Sequence, residues 1–422
     1  MTGKKGIKLL TDILNIEGIK VISQHPYEGI GIILQIEPSR KESVCPRCGT
    51  KSHRIHQNHR HIVKDLPWGE KPVFLEINRR QFKCEKCRKP FSVRAASRRE
   101  DLDFIKKRRN YTKRLATQII QEVLENDIHS VAKKRLVTTE EIERMLKDAA
   151  EEFLKSKPSE LKRLGIDEIA LIKGKGNYCA VLVDLDKSKL IGIMPVRTQE
   201  EMSQVMKGWG TEVLESIEEV SIDLWKGYKN LVIKLMPKVQ VVADRFHVMA
   251  QINKELDIQR KREKRKVEDL IKTAKSPEEK AENEKVLEGL KKSKYVLLKN
   301  EADLSEEQKA KLIQVKEVSY SLKVMHQLKE EIRQIFSQTE DWLAGLFQLG
   351  RWLSEAKKYF PNSQNTIIRW LDEIIAYFDH RTTSGVIEGI NNKLKLIKRS
   401  AYGFRNFENY RIRCLLNWHF VC

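Results

Sequence analysis

No stretch of this chain is apolar for long enough to cross a bilayer as a helix, which takes about 20 residues with little charge. The opening MTGKKGIKLLTDILNIEG carries lysines, but Thr11, Asp12 and Asn15 break its apolar run before a secretory core could form. A disulfide framework is also missing. The seven cysteines fall as two close pairs plus Cys179, Cys414 and Cys422, which suits metal ligation in a reducing compartment. There is no internal repeat. These absences argue against a membrane span or a secreted scaffold and predict a cytoplasmic protein. Negative charge is scarce as well: Lys and Arg number 80 against 59 for Asp and Glu, a net charge of +21. A polyanion, nucleic acid first of all, is the expected partner.

At 422 residues the chain is expected to hold two to four domains. Residues 19–37 and 71–82 alternate like strands and are punctuated by Gly and Pro, predicting a small β-rich module over 1–100. From Asp101 a helical period takes over, with Leu115, Ile119, Ile120, Val123 and Leu124 on one face. LGIDEIALI, NYCAVLVDLD and KLIGIMPVR then read as three strands, followed by an amphipathic helix (EEMSQVMKGWGTEVLESI) and two more strands, EEVSIDL and VQVVAD. Residues 251–377 are densely charged and helical throughout, as an all-α insertion would be. The helix GVIEGINNKLKLIKRS and an aromatic, basic tail close the chain.

Two C-x-x-C knuckles, Cys45–Cys48 and Cys84–Cys87, can supply four thiolates to a tetrahedral structural zinc. Their separation of 36 residues (84 − 48) is bridged by a segment that reads as a hairpin. His53, His56, His59 and His61 lie between them, either as competing ligands or as a solvated or DNA-facing surface; the four cysteines are the expected set. Residues 101–157 suggest a helix-turn-helix: an apolar helix, a short helix from Ile128, and then Thr138-Thr139-Glu-Glu-Ile142, a helix N-cap signature. A plain helical hairpin is the alternative, because the second helix is rich in acid.

Asp167 interrupts the first strand of the β-β-β-α-β unit, where a carboxylate is seldom tolerated without a cation. Asp223 ends the strand after the amphipathic helix. In a ribonuclease-H-like strand order these two strands are neighbours, so the carboxylates would meet and could hold hard divalent cations. Glu388 is the third candidate, on a helix whose Glu388, Asn392, Lys395 and Arg399 share one face. Taken alone, Glu388 could equally be a first-turn glutamate favoured by the helix dipole. Asp244, in VVADRFHVM, is the rival for the second carboxylate and is ranked below Asp223. Lys395, Lys398, Arg399 and Arg405 are candidate phosphate contacts, and Tyr402 or Trp225 could stack on an unpaired base.

The double knuckle, the helix-turn-helix pattern, GIDE at 165–168, SIDLWKGY, VVADRFHV and GVIEGINNKLKLIKRSAYGFRNF together resemble transposases of the ISL3 insertion-sequence family, over nearly the whole chain. The resemblance implies an Asp/Asp/Glu enzyme on a ribonuclease-H-like α/β core (158–250 and 378–422), split by the helical insertion (251–377). It implies two Mg²⁺ ions, with Mn²⁺ as a substitute, held by Asp167, Asp223 and Glu388, with Asp244 as a further contributor. It also implies double-stranded DNA as partner (element ends and target), a homo-oligomer on DNA, and a nucleoid location. Two other functions compete: a non-catalytic zinc and helix-turn-helix regulator, and a structure-specific nuclease that cuts without joining.

Overall fold

A computed structural model of the chain describes residues 4–91, 102–106, 108–155, 157–170, 178–195, 198–382, 385–404 and 406–420. They fall into two compact units, Met1–Leu154 with Ile397–Cys422, and Lys155–Leu396.

The first unit opens with α1 (Lys4–Leu14), then β1 (Ile19–Tyr27), β2 (Gly31–Pro38), β3 (Ser43–Val44), β4 (Lys51–Ser52), β5 (Ile55–Trp68), β6 (Lys71–Lys83) and β7 (Pro90–Phe91). The expected strand over 19–37 is thus a hairpin, broken at Glu28–Ile30 by turn chemistry. Gly31 stands at φ +131°, where a Cβ would lie 2.3 Å from the Pro72 carbonyl oxygen, so only glycine fits. The main sheet runs β1-β2-β6-β5, with β7 on β6. Leu34, Ile36, Val63, Val73, Leu75 and Ile77 alternate inward and pack with Leu14 of α1.

Three helices follow: α2 (Lys113–Glu125), α3 (Ile128–Arg135) and α4 (Thr139–Lys155). Thr112 and Asp127 cap α2 and α3. At α4, Thr138 and Glu141 form a reciprocal capping box (Thr138 N to Glu141 Oε2 3.0 Å; Glu141 N to Thr138 Oγ1 3.2 Å). The acid that α4 carries is partly consumed within this unit. Asp148 accepts a bidentate pair from Arg109 (2.8 and 2.7 Å) and a bond from Tyr111, and Glu143 accepts from Asn409.

The second unit contains β8 (Arg163–Ala170), β9 (Tyr178–Asp184), β10 (Lys189–Met194), α5 (Gln199–Trp209), α6 (Thr211–Ser216), β11 (Glu219–Ile222), α7 (Lys226–Leu235) and β12 (Gln240–Ala243). The sheet order is β10-β9-β8-β11-β12; β9 is antiparallel to both neighbours, and β11 is parallel to β8 and β12. β9 is buried except at Tyr178, and β11 is buried throughout, as strands covered on both faces must be.

From Arg245 to His380 the described chain is helical: α8 (Arg245–Thr273), α9 (Pro277–Leu290), α10 (Ser293–Leu298), α11 (Glu306–Val318), α12 (Tyr320–Gln338), α13 (Trp342–Ala356), α14 (Pro361–Arg369), α15 (Leu371–Ile375) and α16 (Tyr377–His380). Its apolar core is continuous with that of the sheet. A buried carboxylate ties the block together. Glu255 of α8 accepts from the backbone N–H groups of Asn362 and Ser363 and from both side chains (2.7–3.0 Å), capping α14 from 107 residues away. None of the described helices is long and apolar enough to cross a membrane.

α17 (Gly385–Ser400) and α18 (Phe407–His419) end the chain. Residues 397–422, expected with the catalytic core, group instead with the first unit. The reason is apolar: Ile412 and Leu416 of α18 are buried among Leu115, Ile119 and Ile142.

Candidate functional site

Parallel pairing sets the geometry of the acidic edge. Ser221 of β11 lies opposite Gly165 of β8, and Ile222 opposite Ala243 of β12. Asp167, two residues past Gly165 and inside β8, therefore lies level with Asp223, just past β11, and Asp244, just past β12, so that the carboxyl ends of β11 and β12 open beside the middle of β8. Asp167 accepts 2.7 Å bonds from the Glu168 N–H at Oδ1 and from Asn391 Nδ2 at Oδ2. His247 Nε2 lies 3.7 Å from Asp167 Oδ1 and 3.7 Å from Asp244 Oδ2. Asp244 also caps α8, accepting from the Phe246 N–H at 2.9 Å. Tyr228 donates to Glu168 Oε1 at 3.0 Å.

These groups perturb one another. Burial pushes the Asp223 carboxyl up to about 6, with the charges of Glu168 and Asp167 adding to the rise and His247 opposing it. Asp223 Oδ1 is buried without a hydrogen-bond partner. Burial works against a charged His247 ring, yet Asp167, Asp244 and Asp223 together raise its pKa. The Tyr228 hydroxyl is pushed well above the usual phenol range, by burial first and then by Glu168.

α17 reaches this edge through a missing methyl. A Cβ on Gly165 would stand 2.6 Å from Ile387 Cδ1 and 2.9 Å from Leu185 Cδ2, so the helix seats directly on β8. Asn391, one turn beyond Ile387, is buried against Asp167. Glu388 is exposed and lines a cleft of about 850 Å³ with Arg245, Phe246, Asn253 and Arg333. Asp223 and His247 line a second, smaller cleft with Lys254 and Arg369. The carboxylates of Asp167, Asp223 and Glu388 do not lie within 4.8 Å of one another; among the described residues only a cysteine quartet does so.

Glu388, Asn392, Lys395 and Arg399 are all exposed, as a shared outward face requires, and Lys398 is half-buried. Arg405 lies outside the described residues. Tyr402 is 91 % exposed, whereas Trp225 packs edge-on against Tyr228 (4.6 Å between centroids) and fills the space beside Gly227. Sequence reasoning missed Asn391, Glu168 and Tyr228. Only the three-residue step from Glu388 to Asn391 could have flagged the first of these.

The quartet is Cys45, Cys48, Cys84 and Cys87, brought together because the β5–β6 hairpin returns the second knuckle to the first. Cys48 Sγ and Cys84 Sγ are 3.5 Å apart, close to the edge of about 3.8 Å in a tetrahedron with Zn–S bonds of about 2.3 Å. The Cys87 N–H donates to Cys84 Sγ at 3.3 Å, and Phe82 and Phe91 stack beside the knuckles. The donor set fits a structural zinc. None of the four intervening histidines joins the quartet.

Comparison with known proteins identifies a family and supports the zinc module. Residues 164–414 match the transposase family of the ISL3 DDE type, and residues 41–87 match the zinc finger of the transposases of IS204, IS1001, IS1096 and IS1165. The chain is 25 % identical over 402 residues to the transposase for insertion sequence element IS1001 of Bordetella parapertussis, with 94 % of each chain covered. It is 31 % identical over 261 residues to the transposase for insertion sequence element IS1557 of Mycobacterium tuberculosis, covering 58 % of this chain and 57 % of the relative.

Proposed function

Because the chain belongs to the ISL3 family of DDE transposases, which are polynucleotidyl transferases, we propose that it binds the inverted-repeat ends of its element, cuts there and joins the 3′ ends to target DNA. Asp167, Asp223 and Glu388 form its acidic site. A ribonuclease-H-like core is supported by the order β10-β9-β8-β11-β12 with β8 at its centre. The single observation that carries the catalytic reading is Asp223: a half-buried carboxylate whose Oδ1 is buried and unpartnered, beside Asp167 and Glu168, asks for a cation. Asp167, Asp223 and Glu388 would hold two Mg²⁺ ions, or Mn²⁺ in their place. Bound there, such ions neutralise charge on the attacking and leaving oxygens of a phosphodiester.

The chain's own groups do the positioning. Asn391 fixes one oxygen of Asp167 and the Glu168 N–H fixes the other, so the carboxylate presents one orientation. His247 offsets part of the negative charge between Asp167 and Asp244. Lys395, Lys398, Arg399 and Arg405 contact the phosphate backbone. α3 and α4 act as a helix-turn-helix, the zinc module adds a second DNA contact, and the enzyme works as a homo-oligomer on double-stranded DNA.

The test is cutting and strand transfer on a duplex carrying an element end, with and without Mg²⁺. Asp167→Asn, Asp223→Asn and Glu388→Gln should each lower both steps by roughly a thousandfold or more while end binding persists. Asp244→Asn is the control, because asparagine caps a helix as well as aspartate does. If Asp244→Asn is inert while Asp223→Asn still joins strands, Asp244 replaces Asp223. Full activity in all four variants would place the catalytic site elsewhere, absence of both steps in the unmodified chain would favour the non-catalytic regulator, and cutting without joining would favour the nuclease.

A further inference from the structure

The β5–β6 hairpin outlasts the sheet that carries it. β2 pairs with β6 only as far as Ile77, and β7 rejoins β6 at Phe82. In between, Gln57–Arg60 pair with Asn78–Gln81, and among the described residues neither segment has another strand beside it. The result is a two-stranded ribbon between the sheet and the cysteine knuckles. Strand alternation sends Val63, Leu75 and Ile77 to the core and therefore sends Asn58, Arg60, Asn78 and Arg80 to the opposite face. There Asn58 stands across from Arg80, and Arg60 across from Asn78. Three of the four are exposed and Arg80 is half-buried, its guanidinium 5.3 Å from the Phe82 ring.

This set of side chains is costly for a strand whose only task is to fold. Asparagine is depleted in strands, and two of them diagonally placed on an uncovered ribbon weaken it. Neither the Asn58 nor the Asn78 side chain makes a hydrogen bond to a described residue, and both residues are exposed, so both amides are open to a ligand. Arginine and asparagine are the side chains whose forked groups match guanine and adenine edges in the major groove, a groove wide enough to admit a two-stranded ribbon. Charge on the face is mixed: Arg60 and Arg80 share it with Glu76, bonded to Arg60 at 2.5 Å, while Arg54 is exposed just before the ribbon.

We infer that this ribbon enters the major groove of duplex DNA and reads bases of the element end through Asn58, Asn78, Arg60 and Arg80. The inference rests on the end-binding reading above and adds where sequence is recognised. It is tested with the full, zinc-loaded chain by titrating a labelled duplex carrying the terminal repeat and a scrambled duplex of equal length, at several salt concentrations. Asn58→Ala and Asn78→Ala should each cut the preference for the repeat by roughly tenfold, leaving affinity for the scrambled duplex and the salt slope unchanged. Arg54→Ala should instead weaken both duplexes alike and reduce the slope by about one.

Zinc content and melting temperature verify that the variants are folded. Base-by-base substitution of the repeat supplies a second readout: each asparagine variant should become indifferent at one position where the wild type discriminates. Preference retained within twofold in both asparagine variants overturns the inference. So does an equal loss on both duplexes, which would make the ribbon a phosphate contact, or a loss that follows dissociation of an oligomer, which would make it a protein interface. A wild type with no preference for the repeat brings down the end-binding reading itself. A wild type with preference and variants that share it bring down only the ribbon.

Discussion

The two units contrast in how they gather their chemistry. In the first, four metal-ligating thiols come from two short knuckles, each set by local backbone turns and joined by one hairpin. In the second, the residues of the proposed acidic site and its neighbours, Asp167, Asp223, Asp244, His247, Glu388 and Asn391, come from the middle of β8, the ends of β11 and β12 and two helices, with 224 residues between Asp167 and Asn391. Ligands that are local in sequence can close tightly with little help. Ligands dispersed over a fold depend on buried packing and buried polar groups to bring them near, and here the acidic carboxylates lie near one another without closing to 4.8 Å. Stability of the first unit should therefore answer to metal, and that of the second to its interior.

The largest effect expected from this contrast is on zinc. Cys45→Ser with Cys84→Ser, or chelation, should remove stabilisation on the order of 10 kcal/mol from the knuckle region. Hydrogen exchange should then lose its protection at β3, β4, β7 and the outer part of β5–β6 while residues 163–396 keep theirs; uniform loss would erase the contrast. Next is Glu255→Ala, which strips the backbone N–H groups of Asn362 and Ser363 of their acceptor. With Ser363 fully buried, the cost should be about 3 kcal/mol. For a unit of this size that corresponds to a fall of roughly 6–12 °C in the second unit's melting transition.

A pH dependence should mark the second unit as well. His326 of α12 is fully buried, and burial, with Lys329 and Lys316 adding to it, pushes its pKa down to about 3, while Glu330 opposes. The folded ring stays neutral where the unfolded ring, near 6.5, takes up a proton. Stability is thus complete above about 6.5 and is lost as pH falls toward 3, by about 3 kcal/mol at pH 4.5. His326→Leu should flatten that limb of melting temperature against pH; an unchanged limb would show that other groups set it. The smallest effect expected is at Asn391→Ala, which frees Asp167 Oδ2. Cutting should slow roughly tenfold, with more Mg²⁺ needed for half-maximal rate and end binding unaltered. An unchanged Mg²⁺ requirement would mean that Asn391 supports only the fold.

The same contrast explains what could be read in advance. The cysteine knuckles, the strands at 163–194 and the box at Thr138 and Glu141 were legible because periodicity and short spacing carry them. Asp167 and Asp223 stood out as acids in apolar strands. Glu255 did not, since in KELDIQRKREK it reads as one more solvated charge and only the distant turn at Asn362 makes burying it affordable. α1 went unread although Ile7, Leu10 and Leu14 recur at helical spacing, and Leu10 and Leu14 pack on the sheet. The tail's packing was hidden for the same reason as Glu255: nothing near Ile412 and Leu416 in sequence indicates Leu115 and Ile142 as their partners.

Gly165 has a bearing on how copies of such an element decay. Alanine there would place a methyl 2.6 Å from Ile387 Cδ1 and 2.9 Å from Leu185 Cδ2, the ends of two buried side chains, and where these cannot turn aside in the packed layer the helix that carries Glu388 must give way. A displacement near 1 Å is enough to cost a site about a hundredfold in rate. A genomic copy with that one substitution would keep every acidic residue and every cysteine, pass as intact in any survey of those positions, and still be slowed by whatever shift of the helix the methyl imposes.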